Sequence, residues 1–304
     1  MIRMSHIGKR FERVTALDDV SLGIDAGERV AFVGANGSGK TTLLRALLGL
    51  VRVDGRVTID GVDVAREPEV ALRNVAYIPQ IAPPIDAPVT EVVRAASALR
   101  GLDEDRTWST ARKLGLDVDI ARKKRFRELS GGMKQKLLAA VALAAEAPVL
   151  VCDEPTANLD GAARTAFLDL LGARPKSSIV VLCSHRVEEV RALVDRVVEL
   201  EEGKIKRDVP LVALLADRRA FRVEVTLVDA ASPTGAVLRA RGFEPAGPGR
   251  LALDVSQAEK LGVVTRLLEE HGDALADLGV TPVDDLARAS EAPKRERVLR
   301  AVAS

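Results

Sequence analysis

No stretch of this 304-residue chain is long and apolar enough to span a bilayer. The longest apolar run, Leu137 to Val151, is broken by Glu146 and Pro148 and falls short of the roughly 20 residues that a spanning helix needs. The opening residues, Met1-Ile2-Arg3-Met4-Ser5-His6-Ile7, hold no apolar segment of signal-peptide length, so the expected location is the cytoplasm. Any work at a membrane would then run through a partner. Charge excess is missing too: 45 Lys and Arg against 44 Asp and Glu leave a formal net charge of +1, which exerts no overall pull on nucleic acid or acidic lipid. Cysteine is scarce, and Cys152 and Cys183 each sit in a short apolar run, as small core residues do, which argues against a disulfide or a metal pair.

Apolar residues, in contrast, make up 47% of the chain, enough for a full-sized core, and the length exceeds one ordinary domain. Alternating apolar positions in Ile2–Ile7, Val20–Ile24 and Val57–Val64 predict antiparallel strands near the N-terminus. Buried-type strands are predicted at Arg29–Val33, Val75–Ile78, Val149–Asp153 and Ile179–Cys183, with helical segments between them, the pattern of a mainly parallel sheet covered on both faces. From about 81 to 146 the pattern is helical apart from a Pro-rich loop at 82–88, which reads as an inserted helical subdomain. A hairpin over Glu199–Lys206 and a helix over Pro210–Leu215 close a first domain spanning 1–210. A smaller domain over 220–290 reads strand Phe221–Val228, helix Ser232–Arg241, strand Leu251–Val255, helix Gln257–Glu270, strand Leu275–Val280 and helix Val283–Ala289. Residues 291–304 read as a solvated tail.

Between the strand Arg29–Val33 and an apolar helix lies Gly34-Ala35-Asn36-Gly37-Ser38-Gly39-Lys40-Thr41-Thr42, a phosphate-binding loop. Its glycines let backbone N–H groups turn inward around phosphate oxygens, and the helix that follows adds the positive end of its dipole. In such a loop Lys40 reaches the β- and γ-phosphates and the Thr41 hydroxyl ligates Mg²⁺. The strand Val149–Asp153 ends in Asp153 and Glu154, placed to hold the metal through water and to polarise an attacking water, respectively.

Leu129-Ser130-Gly131-Gly132-Met133-Lys134-Gln135-Lys136, shortly before that acidic strand end, resembles the signature motif of the ATP-binding cassette family. The resemblance covers roughly 1–206. It implies an α/β fold with a P-loop NTPase (RecA-like) core, an antiparallel β subdomain and a helical subdomain, followed here by a small α+β C-terminal domain. It also implies Mg²⁺-dependent ATP hydrolysis in a head-to-tail dimer. Gly34, Asn36, Gly37, Ser38, Gly39, Lys40, Thr41 and Thr42 of one cassette and Ser130, Gly131 and Gly132 of the other would then sandwich each ATP. By the same resemblance Gln80 is a metal ligand that senses the transporter, and Asn158-Leu159-Asp160 is the loop at the dimer interface. His185 is the switch histidine, and Phe11 is the aromatic that stacks on adenine. Phe rather than Tyr at position 11, Met133 where glutamine is frequent, and Asn158 depart from the commonest pattern.

The implied function is that of an ATPase subunit driving a separate transmembrane permease, peripheral on the cytoplasmic face. The second cassette is expected to be another copy of this chain, and nucleic acid is not an expected partner. The order of elements after 220 is similar to the extension of exporter ATPases, so export is the expected direction. A soluble cassette ATPase in cofactor assembly or another non-transport process is the alternative. The basic run Lys123-Lys124-Arg125-Phe126-Arg127 fits either a solvated face or contact with a membrane partner or acidic headgroups.

Overall fold

The computed structural model describes residues 1–184, 187–213, 220–229 and 232–282. Residues 1–211 pack as one unit, and the described residues after them as a second. The first unit holds two sheets. The antiparallel sheet has the order β2-β1-β4-β5, from β1 (Ile2–Phe11), β2 (Val14–Ile24), β4 (Asp54–Ile59) and β5 (Val62–Asp63). The larger sheet has the order β10-β9-β3-β8-β7-β6, from β3 (Arg29–Val33), β6 (Val75–Ile78), β7 (Val149–Asp153), β8 (Ile179–Cys183), β9 (Arg196–Glu201) and β10 (Lys204–Pro210). Its strands are parallel except for β10, which pairs antiparallel with β9. The continuous apolar runs of β7 and β8, buried at every position, are what a strand covered on both faces requires.

One core joins the two sheets through α1 (Lys40–Leu47). Leu43, Leu44 and Leu47 of that helix lie among Ile2, Met4, Leu22 and Ile59 of the antiparallel sheet and Phe32, Val151 and Val181 of the parallel one. Between β6 and β7 come α2's neighbour helices α3 (Val89–Leu99), α4 (Glu104–Lys113), α5 (Val118–Ala121) and α6 (Gly131–Ala144), α2 itself being the short Pro68–Ala71 segment before β6. Trp108 and Phe126 are fully buried there, and a hydroxyl bond of 3.2 Å between Ser97 and Thr107 ties α3 to α4. α7 (Gly161–Gly172) follows β7, and α8 (Val187–Leu193) follows β8.

The second unit runs β11 (Ala220–Leu227), α9 (Pro233–Ala240), β12 (Glu244–Gly247), β13 (Arg250–Ser256), α10 (Gln257–His271) and β14 (Leu275–Pro282). The sheet order β12-β13-β11-β14, antiparallel throughout, is the β-α-β-β-α-β ferredoxin-like arrangement. Its core is Val223, Val225, Leu227, Leu238, Phe243, Leu251, Val255 and Leu267.

Several boundaries differ from the sequence expectation. β12 carries no apolar alternation, with all four residues exposed, so no periodic pattern marks it. The hairpin expected at Glu199–Lys206 is longer, and β9 enters the parallel sheet beside β3. Where a helix was expected from Pro210, β10 runs through Pro210 as an edge strand, a place where a missing N–H costs nothing, and the chain turns helical only at 211–213. The expected helix Val283–Ala289 and the tail 291–304 lie outside the described residues.

Because the first unit has its own closed core, a chain truncated after Arg219 is expected to fold, giving helical circular dichroism and a cooperative thermal transition. A truncated chain without such a transition would show that the core depends on the second unit.

Candidate functional site

The loop 34–39 leaves the C-terminal end of β3 and enters α1 through Gly39, whose φ of +106° belongs to the left-handed region. A Cβ there would come within 2.5 Å of the Ala16 carbonyl on β2, so only glycine allows the loop to lie so close. The first turn of α1 has neither a capping side chain nor an acidic residue, which leaves its N–H groups and dipole end to an anion. Lys40 Nζ donates to the carbonyls of Gly34 at 2.7 Å and Ala35 at 2.9 Å, holding its charge inside the loop. The Ser38 hydroxyl is buried there with no hydrogen-bond partner, while the Ser38 carbonyl accepts from Gly203 N at 3.1 Å in the β9–β10 turn. A lysine, an orphaned hydroxyl and open amides converging on one loop fit a phosphate group. Asn36 and Gly37 are exposed, and Thr41 and Thr42 are half-buried.

Asp153 closes β7, 3% exposed, beside β8. Burial, and secondarily the Glu154 charge, hold its carboxyl above the usual range, which a cation would reverse. Burial likewise lowers Lys40, while the Asp153 and Glu154 charges oppose that shift. Lys40 and the two carboxylates therefore lie within electrostatic reach of one another. Glu154 has φ +48°, a strained conformation for a non-glycine residue, and its N–H donates to the Cys183 carbonyl at 2.9 Å. Tyr77, half-buried on the neighbouring strand β6, is pushed up to about 12 by burial and by the Asp153 charge.

Ser130 caps α6, its Oγ accepting from Met133 N at 3.2 Å, and Ser130 and Gly131 are exposed. A Cβ on Gly132 would stand 3.0 Å from the Asn158 carbonyl, so the signature turn and the loop after β7 approach one another closely. α6 packs on α3, α4, α7 and β6, whereas α1 lies against β2 and β7. The N-termini of α1 and α6 thus belong to different layers. Asp160 is engaged internally: it caps α7 through Ala163 N at 2.9 Å and accepts from Lys136 Nζ at 2.8 Å, which holds its carboxyl below the usual range.

Gln80 is exposed two residues past β6, and Phe11, 47% exposed at the end of β1, carries Lys9 Nζ 4.9 Å from its ring centre. His185 lies outside the described residues. The basic run resolves into ion pairs: Arg125 Nε and Arg127 Nη1 donate to the two oxygens of Asp86 at 2.7 and 2.8 Å. Together with Phe126 N to Ala87 O at 2.9 Å, these bonds fasten the loop after Gln80 to the segment leading into Ser130.

Several buried polar residues escaped the sequence reading, Gln135 and Glu189 among them. Gln135, 2% exposed, donates from Nε2 to the Pro155 carbonyl at 2.9 Å and sits 3.5 Å from that of Pro79. Glu189, 1% exposed, accepts from Ser184 and Thr156. A signal for Gln135 existed: it shares a helix face with Ala139 and Ala142, so its amide had to find partners inside.

A nucleotide-type phosphate loop with a paired acidic strand end defines a P-loop NTPase. An ABC transporter family profile matches residues 17–157. SCO2324 of Streptomyces coelicolor, named as an ABC transporter ATP-binding protein, is 36% identical over 228 residues, covering 72% of this chain and 39% of its own length. The ABC transporter ATP-binding protein YtrB of Bacillus subtilis is 30% identical, covering 75% of this chain and 79% of its own. The methionine import ATP-binding protein MetN of Rhizobium johnstonii is 33% identical, covering 72% and 64%. The chain thus spans well under half of the first relative and most of the second. Among solved structures, an ATP-binding subunit of an ABC transporter superposes with a TM-score of 0.63 at 27% identity, covering 70% of this chain and 91% of that one. A dimeric bacterial ABC transporter cassette, MJ0796, superposes at 0.60 with 25% identity, covering 69% and 99%. The chain belongs to the family of ABC transporter ATP-binding proteins. Among the described residues no helix is long and apolar enough to cross a membrane.

Gln135→Leu leaves the Pro155 carbonyl unpaired in the interior and is expected to cost about 1–3 kcal/mol, read as a lowered unfolding midpoint in denaturant. An unchanged midpoint would mean that the amide contributes no net stability.

Proposed function

We propose that this chain binds ATP at 34–42 and hydrolyses it to drive a separate transmembrane permease. The observation that carries the reading is the orphaned Ser38 hydroxyl and carbonyl-bound Lys40 inside the loop, within electrostatic reach of Asp153 and Glu154. Lys40 would exchange its carbonyl partners for the β- and γ-phosphates, and the α1 amides would take the remaining oxygens. Thr41, Gln80 and Asp153 would hold Mg²⁺, which when bound neutralises charge on the β- and γ-phosphate oxygens. Glu154 would orient the attacking water and accept its proton, with His185 at the γ-phosphate. Phe11, exposed, would stack on adenine.

A second cassette would present Ser130, Gly131 and Gly132, with Asp160 near the interface, to the phosphates bound by the first. The separation of α1 and α6 into different layers supports this, as does the dimeric structure of the MJ0796 cassette. For the direction of transport we propose export, on the order of elements after 220. Import is the second reading, favoured by the 33% identity to MetN.

Lys40→Ala is expected to weaken ATP binding about tenfold or more, measured by equilibrium dialysis. Glu154→Gln should retain binding, lose about 100-fold or more in kcat, and give an ATP-dependent dimer by light scattering. Wild-type turnover in Glu154→Gln would refute the assigned base. Pulled from gently solubilised native membranes, the Glu154→Gln protein should bring a polytopic membrane protein with it. Recovery only with soluble assembly factors would favour the cofactor-assembly alternative.

A further inference from the structure

We infer that Glu189, on α8, is a positioning residue for the hydrolysis proposed above, fixing the loop after β7 to the loop after β8; the inference rests on that functional reading. The carboxylate is 1% exposed and its two oxygens serve different segments. Oε1 accepts from the Thr156 hydroxyl, and Oε2 from the Ser184 hydroxyl at 2.8 Å. Thr156 and Ser184 are themselves 1% and 3% exposed. Arg164, on α7, places Nε 3.9 Å from Oε1 and directs Nη2 to the Leu159 carbonyl at 3.4 Å.

The two hydroxyl donors and the nearby Arg164 all come from segments bearing the proposed chemistry. Thr156 lies two residues past Glu154, Ser184 directly precedes His185 in sequence, and Arg164 stands on the helix capped by Asp160. Burying a carboxylate is costly even when it is paired, and apolar side chains of similar volume would hold the same segments at least as firmly. What apolar packing would not supply is a fixed spacing, because each hydroxyl must reach its own oxygen of one rigid group. From the other side Gln135 grips Pro155, so the stretch Glu154–Leu159 is held between two buried polar side chains. Glu154 also leans on β8 through its N–H to Cys183. A displacement of either loop relative to the other therefore moves Glu154, whereas none of these hydrogen bonds involves Lys40 or the loop 34–39.

The test uses the full chain with Glu189→Gln, Ser184→Ala, Thr156→Val and the pairs combining Glu189→Gln with each hydroxyl deletion, beside wild type and Glu154→Gln. ATP dissociation constants, kcat and thermal midpoints are measured on the same preparations. Glu189→Gln is expected to keep ATP affinity within about twofold and lose about tenfold or more in kcat, with the pairs costing little beyond it. Should Glu189→Gln fail to fold, a loss of kcat at an unchanged midpoint in either hydroxyl deletion supports the inference, and wild-type kcat in both overturns it. Parallel loss of affinity, midpoint and kcat in the folded variants also overturns it, because that is the signature of packing alone. Turnover that depends on Glu154 but not on Glu189 overturns this inference only. Turnover that Glu154→Gln does not reduce overturns the functional reading with it.

Discussion

Burial of one face of α1 between two sheets decides where everything else in the first unit can stand. Leu43, Leu44 and Leu47 are fully buried, and each contributes about 1.5–3 kcal/mol by leaving water. Their burial locks the helix axis against β2 and β7, and with it the direction in which the helix N-terminus opens. The phosphate loop is the short tether between two rigid pieces, strand and helix, and has little freedom of its own. The contacts to Ala16 on β2 and to the β9–β10 turn then brace it from both flanks. A loop preformed in this way loses little conformational entropy when an anion arrives.

The remaining chemistry collects at the same edge because β3, β6, β7 and β8 run parallel. Each strand delivers its C-terminal residue there: Val33 before the loop, Ile78 before Gln80, Asp153 before Glu154, Cys183 before Ser184. Residues separated by more than a hundred positions meet at one end of a sheet, as parallel sheets generally arrange. The helix start at Ser130, proposed as a second phosphate grip, is carried by the inserted helices instead, and the Asp86 clamp fastens the segment leading into it to the stretch following Gln80. Whatever acts on that stretch is thereby coupled mechanically to the segment entering the signature turn.

Much of this was legible in the chain because its strong signals are local. Four of the five parallel strands, β3, β6, β7 and β8, have the expected bounds because each is a short, mainly apolar run between turn residues, and the phosphate loop announces itself by glycine spacing. The signals that failed were weak or nonlocal. β12 has no apolar face to reveal it, and the proline that ends β10 reads in sequence as a helix start, which hides the strand's last residues. Arg125 and Arg127 gave no hint from composition that they close on Asp86, some forty residues earlier. Glu189 looks in sequence like any acidic residue on a helix. Only the convergence of Thr156 and Ser184, set by β7 and β8 lying side by side, makes it a buried acceptor.

These buried polar ties are best understood through the strain at Glu154. A non-glycine residue held at positive φ costs on the order of 1–3 kcal/mol, and a free loop would relax out of it. Here the strained residue lies between Asp153, fixed in the sheet, and Pro155, fixed by Gln135, with its own N–H bound to β8. Thr156, one residue further, is pinned by Glu189. The conformation is over-determined by four restraints, and none of the three hydrogen bonds among them is made to the phosphate loop. The phosphate loop and the Glu154 carboxylate are thus held by separate contacts, so one can shift without the other, as the proposed cycle of ATP binding followed by cleavage would require.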